Sequence, residues 1–186
     1  MTYAGLSRPA SGVEHYFSHI WDMRSVVFGT PAALHGIQCA IATLETVRLY
    51  EKLKNVIPDK EKALAYARHF DYAAWSQSLS EFLGASAQEM IALEAKERKY
   101  DPSKHTGRLE TILAHWEDIQ SIIEEELPSA QALEQLLDRI RAQKTLSEIG
   151  LEESILPMTF RSTKDIRDKY VLSRLCWDLG ILEEIL

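Results

Sequence analysis

The chain has 186 residues, 46% of them hydrophobic, and a formal net charge of −7. This length and apolar content suffice for one domain with a real core and exclude a disordered chain. The acidic balance argues against nucleic acid as a partner, because a phosphate-binding surface needs clustered Lys and Arg. Two cysteines make no disulfide framework, and neither a signal peptide nor an apolar run of roughly 20 residues is present. We therefore predict a cytoplasmic protein without a membrane partner.

The first predicted helix carries two histidines on one face. Ser11 and Glu14 have the spacing of a capping box, which predicts a helix from Ser11 to about Arg24. His15 and His19 then lie one turn apart, so both imidazoles project from the same side.

A second helix start is predicted at Thr30-Pro31, where threonine caps and proline occupies the first helical position. This helix runs to about Lys54 and places His35 one turn inside it. Two histidines near neighbouring helix starts can converge on one ion, and imidazole is the commonest protein ligand for a zinc-like metal. The spacing alone also fits partly buried histidines that are satisfied by their neighbours.

The rest of the sequence has helical periodicity and no strand pattern of useful length. The segment after Gly107 is the clearest amphipathic helix, with apolar residues recurring at three and four. Thr145 and Glu148 repeat the capping-box spacing, and a final helix is predicted from Ser162 to Gly180. We predict an all-α bundle of about eight helices that forms a single domain over residues 1–186.

Short strings near both ends of the chain carry a family resemblance. The string SRPASGVEH over residues 7–15, Ser18-His19 and Leu34-His35-Gly36 resemble the metal-binding core of sn-glycerol-1-phosphate dehydrogenases. A second match covers residues 164–170 and 177–180. These enzymes belong to the superfamily of glycerol dehydrogenases, iron-dependent alcohol dehydrogenases and dehydroquinate synthases. The resemblance implies the helical C-terminal domain of that fold.

The resemblance also implies roles for individual residues. His15 and His35 would be metal ligands, and His19 would line the catalytic pocket nearby. The ion would be zinc, with nickel or iron as alternatives, and it would polarise dihydroxyacetone phosphate while NAD(P)H delivers hydride. Arg8 and Ser11, at the helix N-terminus, are candidates to bind the substrate phosphate, although Arg8 pairing with a nearby acid is equally consistent.

The sequence departs from the family pattern in lacking a βα nucleotide-binding domain and the aspartate that serves as third metal ligand. Asp22 shares the face of His15 but lies roughly 10 Å along the axis, which favours a role behind the ligands. We expect the C-terminal part of such an enzyme, which forms a homo-oligomer or associates with a complementary nucleotide-binding domain and binds NAD(P)H only with that domain. The alternative is a stand-alone helical binding or assembly module with relic histidines.

Overall fold

The computed structural model describes residues 12–186, and this part of the chain is helical with no strand. The predicted all-α fold is confirmed. No helix in the described range is both long and apolar enough to cross a membrane. The ten α-helices of residues 12–186 are α1 Val13–Phe28, α2 His35–Leu53, α3 Lys60–Arg68, α4 Tyr72–Leu83, α5 Ala87–Glu97, α6 Pro102–Ala114, α7 Trp116–Glu126, α8 Ala130–Arg139, α9 Leu156–Thr163 and α10 Leu172–Asp178.

Helix α1 lies at the centre of the packing. Its side chains Tyr16, Phe17, Ile20 and Trp21 are fully buried, and the helix packs chiefly against α2 and α9. The Trp21 indole Nε1 donates a hydrogen bond of 3.2 Å to Thr159 Oγ1 on α9. Burial of four large side chains on one face fixes the rotation of α1, and that rotation sets where its histidines lie.

The link between α1 and α2 differs from the sequence expectation. Helix α1 ends at Phe28, about one turn beyond Arg24, and Gly29 terminates it in the left-handed conformation at φ 66°. Its N–H bonds the Ser25 carbonyl.

The predicted start of α2 at Thr30-Pro31 is wrong. Leu34 has extended backbone angles and α2 begins at His35, which is therefore the first helical residue rather than one turn inside. The Ala33 carbonyl accepts a hydrogen bond of 3.2 Å from the Gln38 side-chain amide. This bond pairs a backbone acceptor in the non-helical segment between Pro31 and His35.

Two other predicted helices are each interrupted. The amphipathic segment after Gly107 belongs to α6 and α7, which meet at His115. Helix α6 begins earlier than predicted, because Asp101 caps it by accepting a bond of 2.9 Å from the Ser103 N–H. The predicted start of the final helix at Ser162 is wrong, because Ser162 lies in the last turn of α9 and the next helix, α10, begins only at Leu172.

A buried carboxylate lies between α9 and α10 and fixes their connection. The Asp165 side chain accepts hydrogen bonds from Tyr100 Oη at 2.7 Å, Lys164 Nζ at 2.9 Å and Trp75 Nε1 at 3.1 Å. Arg174 Nη2 lies 3.3 Å away. Burial alone would raise the pKa of Asp165, but the charges of Lys164 and Arg174 outweigh it and lower that pKa. These bonds anchor the chain to the core at Asp165.

Candidate metal centre

Three histidine rings meet where α1 and α2 come together. The ring centroids of His15 and His35 lie 4.7 Å apart, and those of His15 and His19 lie 4.4 Å apart. The His19 and His35 centroids are 6.1 Å apart. The helices thus bring together the three histidines that the sequence singled out, and their roles in metal binding and catalysis remain predictions.

A cysteine completes a possible ligand group that the sequence reasoning missed. Cys39 follows His35 by one turn of α2, and its Sγ lies 3.6 Å from His35 Nε2. One ligand atom each from His15, His35 and Cys39 lies within 4.8 Å of the others. His19 is not in this group. Two imidazole nitrogens and a sulfur are donors that zinc accepts, so these residues fit such an ion.

A chain of hydrogen bonds orients His35 from behind. The Gln38 Nε2 donates to Asp22 Oδ1 at 3.0 Å and to the Ala33 carbonyl, and since both of these only accept, the amide orientation is determined. The Gln38 Oε1 therefore accepts the proton of the Ser18 hydroxyl. The Ser18 Oγ, 2.6 Å from His35 Nδ1, is left to accept from that ring nitrogen.

This chain selects one tautomer of His35. With the proton on Nδ1, the Nε2 atom carries a bare lone pair, and Nε2 is the atom that faces Cys39. Ser18 and Gln38 are both buried, so water does not compete for these bonds. An outer group that fixes the ring and tautomer of a histidine is what metal-ligating imidazoles usually have.

Local electrostatics disfavour the charged form of two of the rings. Burial lowers the pKa of His15 and of His19. The His35 imidazole lowers the pKa of His15 further, and the His15 imidazole does the same for His19. Burial raises the pKa of the Cys39 thiol, and the Glu14 carboxylate acts in the same direction. Neutral imidazole is the form that binds a metal.

The C-terminal segment brings positive charge to the histidines. Arg167 lowers the pKa of both His15 and His19, and Lys169 lowers that of His15. The Lys169 Nζ also lies 6.0 Å from the centre of the Tyr16 ring on α1. The two ends of the chain that carried the family resemblance therefore meet at one place in the fold.

Some predicted site residues fall outside this picture. Arg8 and Ser11 lie outside the described residues. Glu14 Oε1 accepts from the Gly12 N–H at 3.1 Å, so the carboxylate half of the predicted capping box bonds Gly12. Asp22 sits at the far end of the Gln38 hydrogen bonds and is not in the ligand group.

Gly36 directly follows His35 in α2. Within the described residues no atom lies within 4 Å of where a Gly36 Cβ would be. Packing against those residues therefore does not require the glycine.

The other three histidines of the sequence lie in the core or on the surface of the fold. His105 is buried, and its Nε2 donates to the Asp178 carbonyl at 2.8 Å. His69 and His115 are exposed, and they contact the Ala65 carbonyl and the Asp118 carboxylate respectively.

Comparison with known proteins identifies relatives for part of the chain. A glycerol-1-phosphate dehydrogenase of Korarchaeum cryptofilum is 47% identical over 60 residues, which is 32% of this chain and 19% of the relative. The predicted resemblance to glycerol-1-phosphate dehydrogenases is confirmed. The enzyme of the same name from Methanosarcina mazei is 48% identical over 50 residues, or 27% of this chain and 13% of the relative. The enzyme from Thermococcus sibiricus is 50% identical over 44 residues, which is 24% of this chain and 11% of the relative.

The similarity to glycerol-1-phosphate dehydrogenases is local. The matched segment spans less than a fifth of the length of these curated relatives. No family model and no solved structure matches the chain. The names of these relatives carry the designation NAD(P)+.

Proposed function

We propose that this chain is the metal-binding part of an NAD(P)-dependent oxidoreductase related to glycerol-1-phosphate dehydrogenase. The observation that carries the proposal is the approach of His15 and His35 to a ring-centroid distance of 4.7 Å from two different helices. The local identity of 40–50% to enzymes of that name supports the same conclusion from an independent direction.

His15 and His35 hold the ion in this proposal, with zinc as the expected metal and nickel or iron as alternatives. When bound, the ion supplies Lewis-acid catalysis that polarises the carbonyl oxygen at C2 of dihydroxyacetone phosphate. The protein holds His35 in the required tautomer through Ser18, and His19 lines the site beside His15. The hydrogen bonds among Asp22, Gln38, Ser18 and His35 orient the His35 ring before the ion binds. This reduces the entropy that is lost when the site becomes ordered.

The phosphate group of the substrate is attracted by the charges of the C-terminal segment. Arg167 and Lys169 act electrostatically on His15, so their positive charge reaches the place where a phosphorylated substrate binds. An exposed guanidinium such as Arg167 offers paired N–H donors that match phosphate oxygens. Arg8 and Ser11 remain candidates for the same role, from outside the described residues.

The proposed reaction also needs a site for NAD(P)H. We propose that a complementary nucleotide-binding domain supplies it and that the helical chain associates with that domain or with a second copy. Exposed large apolar side chains support such an association, since Val26 on α1 is 84% exposed and Leu34, which precedes His35, is 75% exposed.

Metal content tests the proposal directly. Protein purified without chelator is dialysed against Zn²⁺, and the bound metal is measured by plasma mass spectrometry for wild type, His15→Ala and His35→Ala. We expect one tightly bound ion in wild type and its loss in both variants. His69→Ala is the matched control, because His69 is exposed and its ring bonds the Ala65 carbonyl of α3.

Absence of a bound ion in wild type would favour the second candidate, a helical assembly module with relic histidines. The observation that favours this module is that the similarity covers only about a third of the chain. Sedimentation at high concentration distinguishes an assembling module from a monomer.

A further inference from the structure

Cys39 lies beside the proposed metal site, which so far has only two protein ligands, His15 and His35. It lies one turn after His35 on α2, so its side chain projects from the same face as the His35 ring. Its thiol is half-buried, whereas the other cysteine, Cys176, is fully buried in the core. The Cys39 sulfur is therefore open to an ion that reaches the histidines.

The distances suit a shared ion. Zinc lies about 2.0 to 2.1 Å from an imidazole nitrogen and about 2.3 Å from a sulfur, which in a tetrahedral site separates nitrogen and sulfur by about 3.6 Å. The Cys39 Sγ and His35 Nε2 are 3.6 Å apart. The candidate ligand atoms of His15, His35 and Cys39 all lie within 4.8 Å of one another, so little movement is needed to meet one ion.

The hydrogen-bond chain makes the same atoms available. Because Ser18 accepts the Nδ1 proton of His35, the Nε2 lone pair is the one directed towards the Cys39 sulfur. No carboxylate joins this group among the described residues. Among the described residues, the Cys39 thiol is therefore the third donor that lies together with the His15 and His35 nitrogens.

We infer that the Cys39 sulfur is the third protein ligand of the ion held by His15 and His35, an inference that rests on the function proposed above. The thiol loses its proton to solvent as the sulfur–metal bond forms, and a fourth position stays open for substrate oxygen or water. Two imidazoles and a thiolate favour Zn²⁺ or Co²⁺ over the harder Mg²⁺ and Ca²⁺.

Cobalt spectroscopy tests this ligand without reference to activity. The full chain is titrated with Co²⁺, and the visible bands of the bound ion and the thiolate-to-cobalt charge-transfer band in the near ultraviolet are recorded. Wild type and the matched control Cys176→Ala should show both. Cys39→Ser should lose the charge-transfer band, and its Zn²⁺ affinity by competition with a chromophoric chelator should fall about tenfold or more.

Thiol accessibility supplies a second measurement. Alkylation of native protein followed by mass spectrometry should modify Cys39 in the absence of metal and leave it protected when Zn²⁺ is present. Equal modification with and without Zn²⁺ under conditions where the ion is bound would overturn the assignment of the thiol.

The outcomes separate this inference from the proposed function. Cobalt that binds to wild type, is lost in His35→Ala and shows no thiolate band would refute the cysteine ligand and keep the histidine site. Failure of wild type to bind Co²⁺ or Zn²⁺ would refute both.

Discussion

The hydroxyl oxygen of Ser18 on α1 lies 2.6 Å from the Nδ1 atom of His35 on α2. This contact joins the two helices at the candidate metal site and determines which ring nitrogen of His35 carries a lone pair. Since Ser18 and Gln38 are both buried behind the ring, the site depends on residues that touch no ion themselves.

Removal of this support should weaken metal binding. Ser18→Ala and Gln38→Leu each leave the His35 ring free to rotate or change tautomer, and we expect the Zn²⁺ affinity to fall by about 10- to 100-fold. Competition with a chromophoric chelator measures it. The control Ser76→Ala alters a partly exposed serine on α4 that bonds the Ala73 carbonyl, and it should leave the affinity unchanged. Unaltered affinity in both Ser18→Ala and Gln38→Leu would show that the hydrogen-bond chain does not orient a ligand.

The positive charge beside the site should act oppositely on cations and anions. Arg167→Ala removes a charge that opposes a bound cation, so the affinity for Zn²⁺ should rise slightly while that of zinc-loaded protein for dihydroxyacetone phosphate should fall. Titration calorimetry measures both. The matched control is Arg139→Ala, since Arg139 is exposed on α8. A parallel change in both affinities would contradict an electrostatic role.

The buried Asp165 carboxylate should be essential for stability. Asp165→Asn leaves the Lys164 and Arg174 charges buried without their partner, and the free energy of unfolding should fall by about 3 to 5 kcal/mol. Urea unfolding followed by circular dichroism measures this change. Asp138→Asn breaks an exposed pair with Lys144 and should cost less than about 1 kcal/mol. Similar costs for the two substitutions would show that burial does not set the strength of the pair.

The same group predicts a pH dependence. The folded-state pKa of Asp165 is lowered, so its ionised form contributes stability fully above the unfolded pKa of about 4, and that contribution is lost as pH falls below it. Unfolding free energies should therefore decline below about pH 4 in wild type and decline less steeply in Asp165→Asn. Identical slopes in the two proteins would rule out this carboxylate as a source of acid sensitivity.

Two glycine positions should respond with opposite signs. Gly180 has φ 70°, and a Cβ there would lie 3.1 Å from the Ala63 Cα, so Gly180→Ala should destabilise the fold by about 1 to 3 kcal/mol. Gly107 is inside α6 with open space around it, and Gly107→Ala should stabilise by about 0.5 to 1 kcal/mol. Thermal unfolding of both variants gives the comparison. Equal shifts of the melting temperature in the same direction would mean that backbone conformation does not determine the effect of these two substitutions on stability.

Much of the site was accessible from the sequence because it depends on helical spacing. The four-residue step from His15 to His19 guarantees a shared face, and the helix starts suggested that His35 would come near. His35 and Cys39 are also four residues apart and share a face of α2. A single cysteine among apolar residues nevertheless indicates a core position, unless the position of the neighbouring helix is known. The Ser18 and Gln38 contact could not be predicted, because it depends on the rotation of α1 against α2.

The fold class was predictable and the helix boundaries less so. Apolar residues at three and four spacing specify helices without specifying where each one ends. Helix α2 begins at His35 rather than at the predicted Pro31, and the Ala33 carbonyl before it accepts a hydrogen bond from the Gln38 side chain. Between α9 and α10, bonds from Tyr100, Lys164 and Arg174 to Asp165 accompany an interruption that the periodicity did not reveal.

The most direct test is the zinc content of the purified chain, measured beside its His35→Ala variant after exhaustive dialysis. The account predicts one zinc per chain in wild type and none retained in the variant. Equal and substoichiometric zinc in the two proteins would mean that His15 and His35 do not share an ion, and the proposed oxidoreductase site would be contradicted.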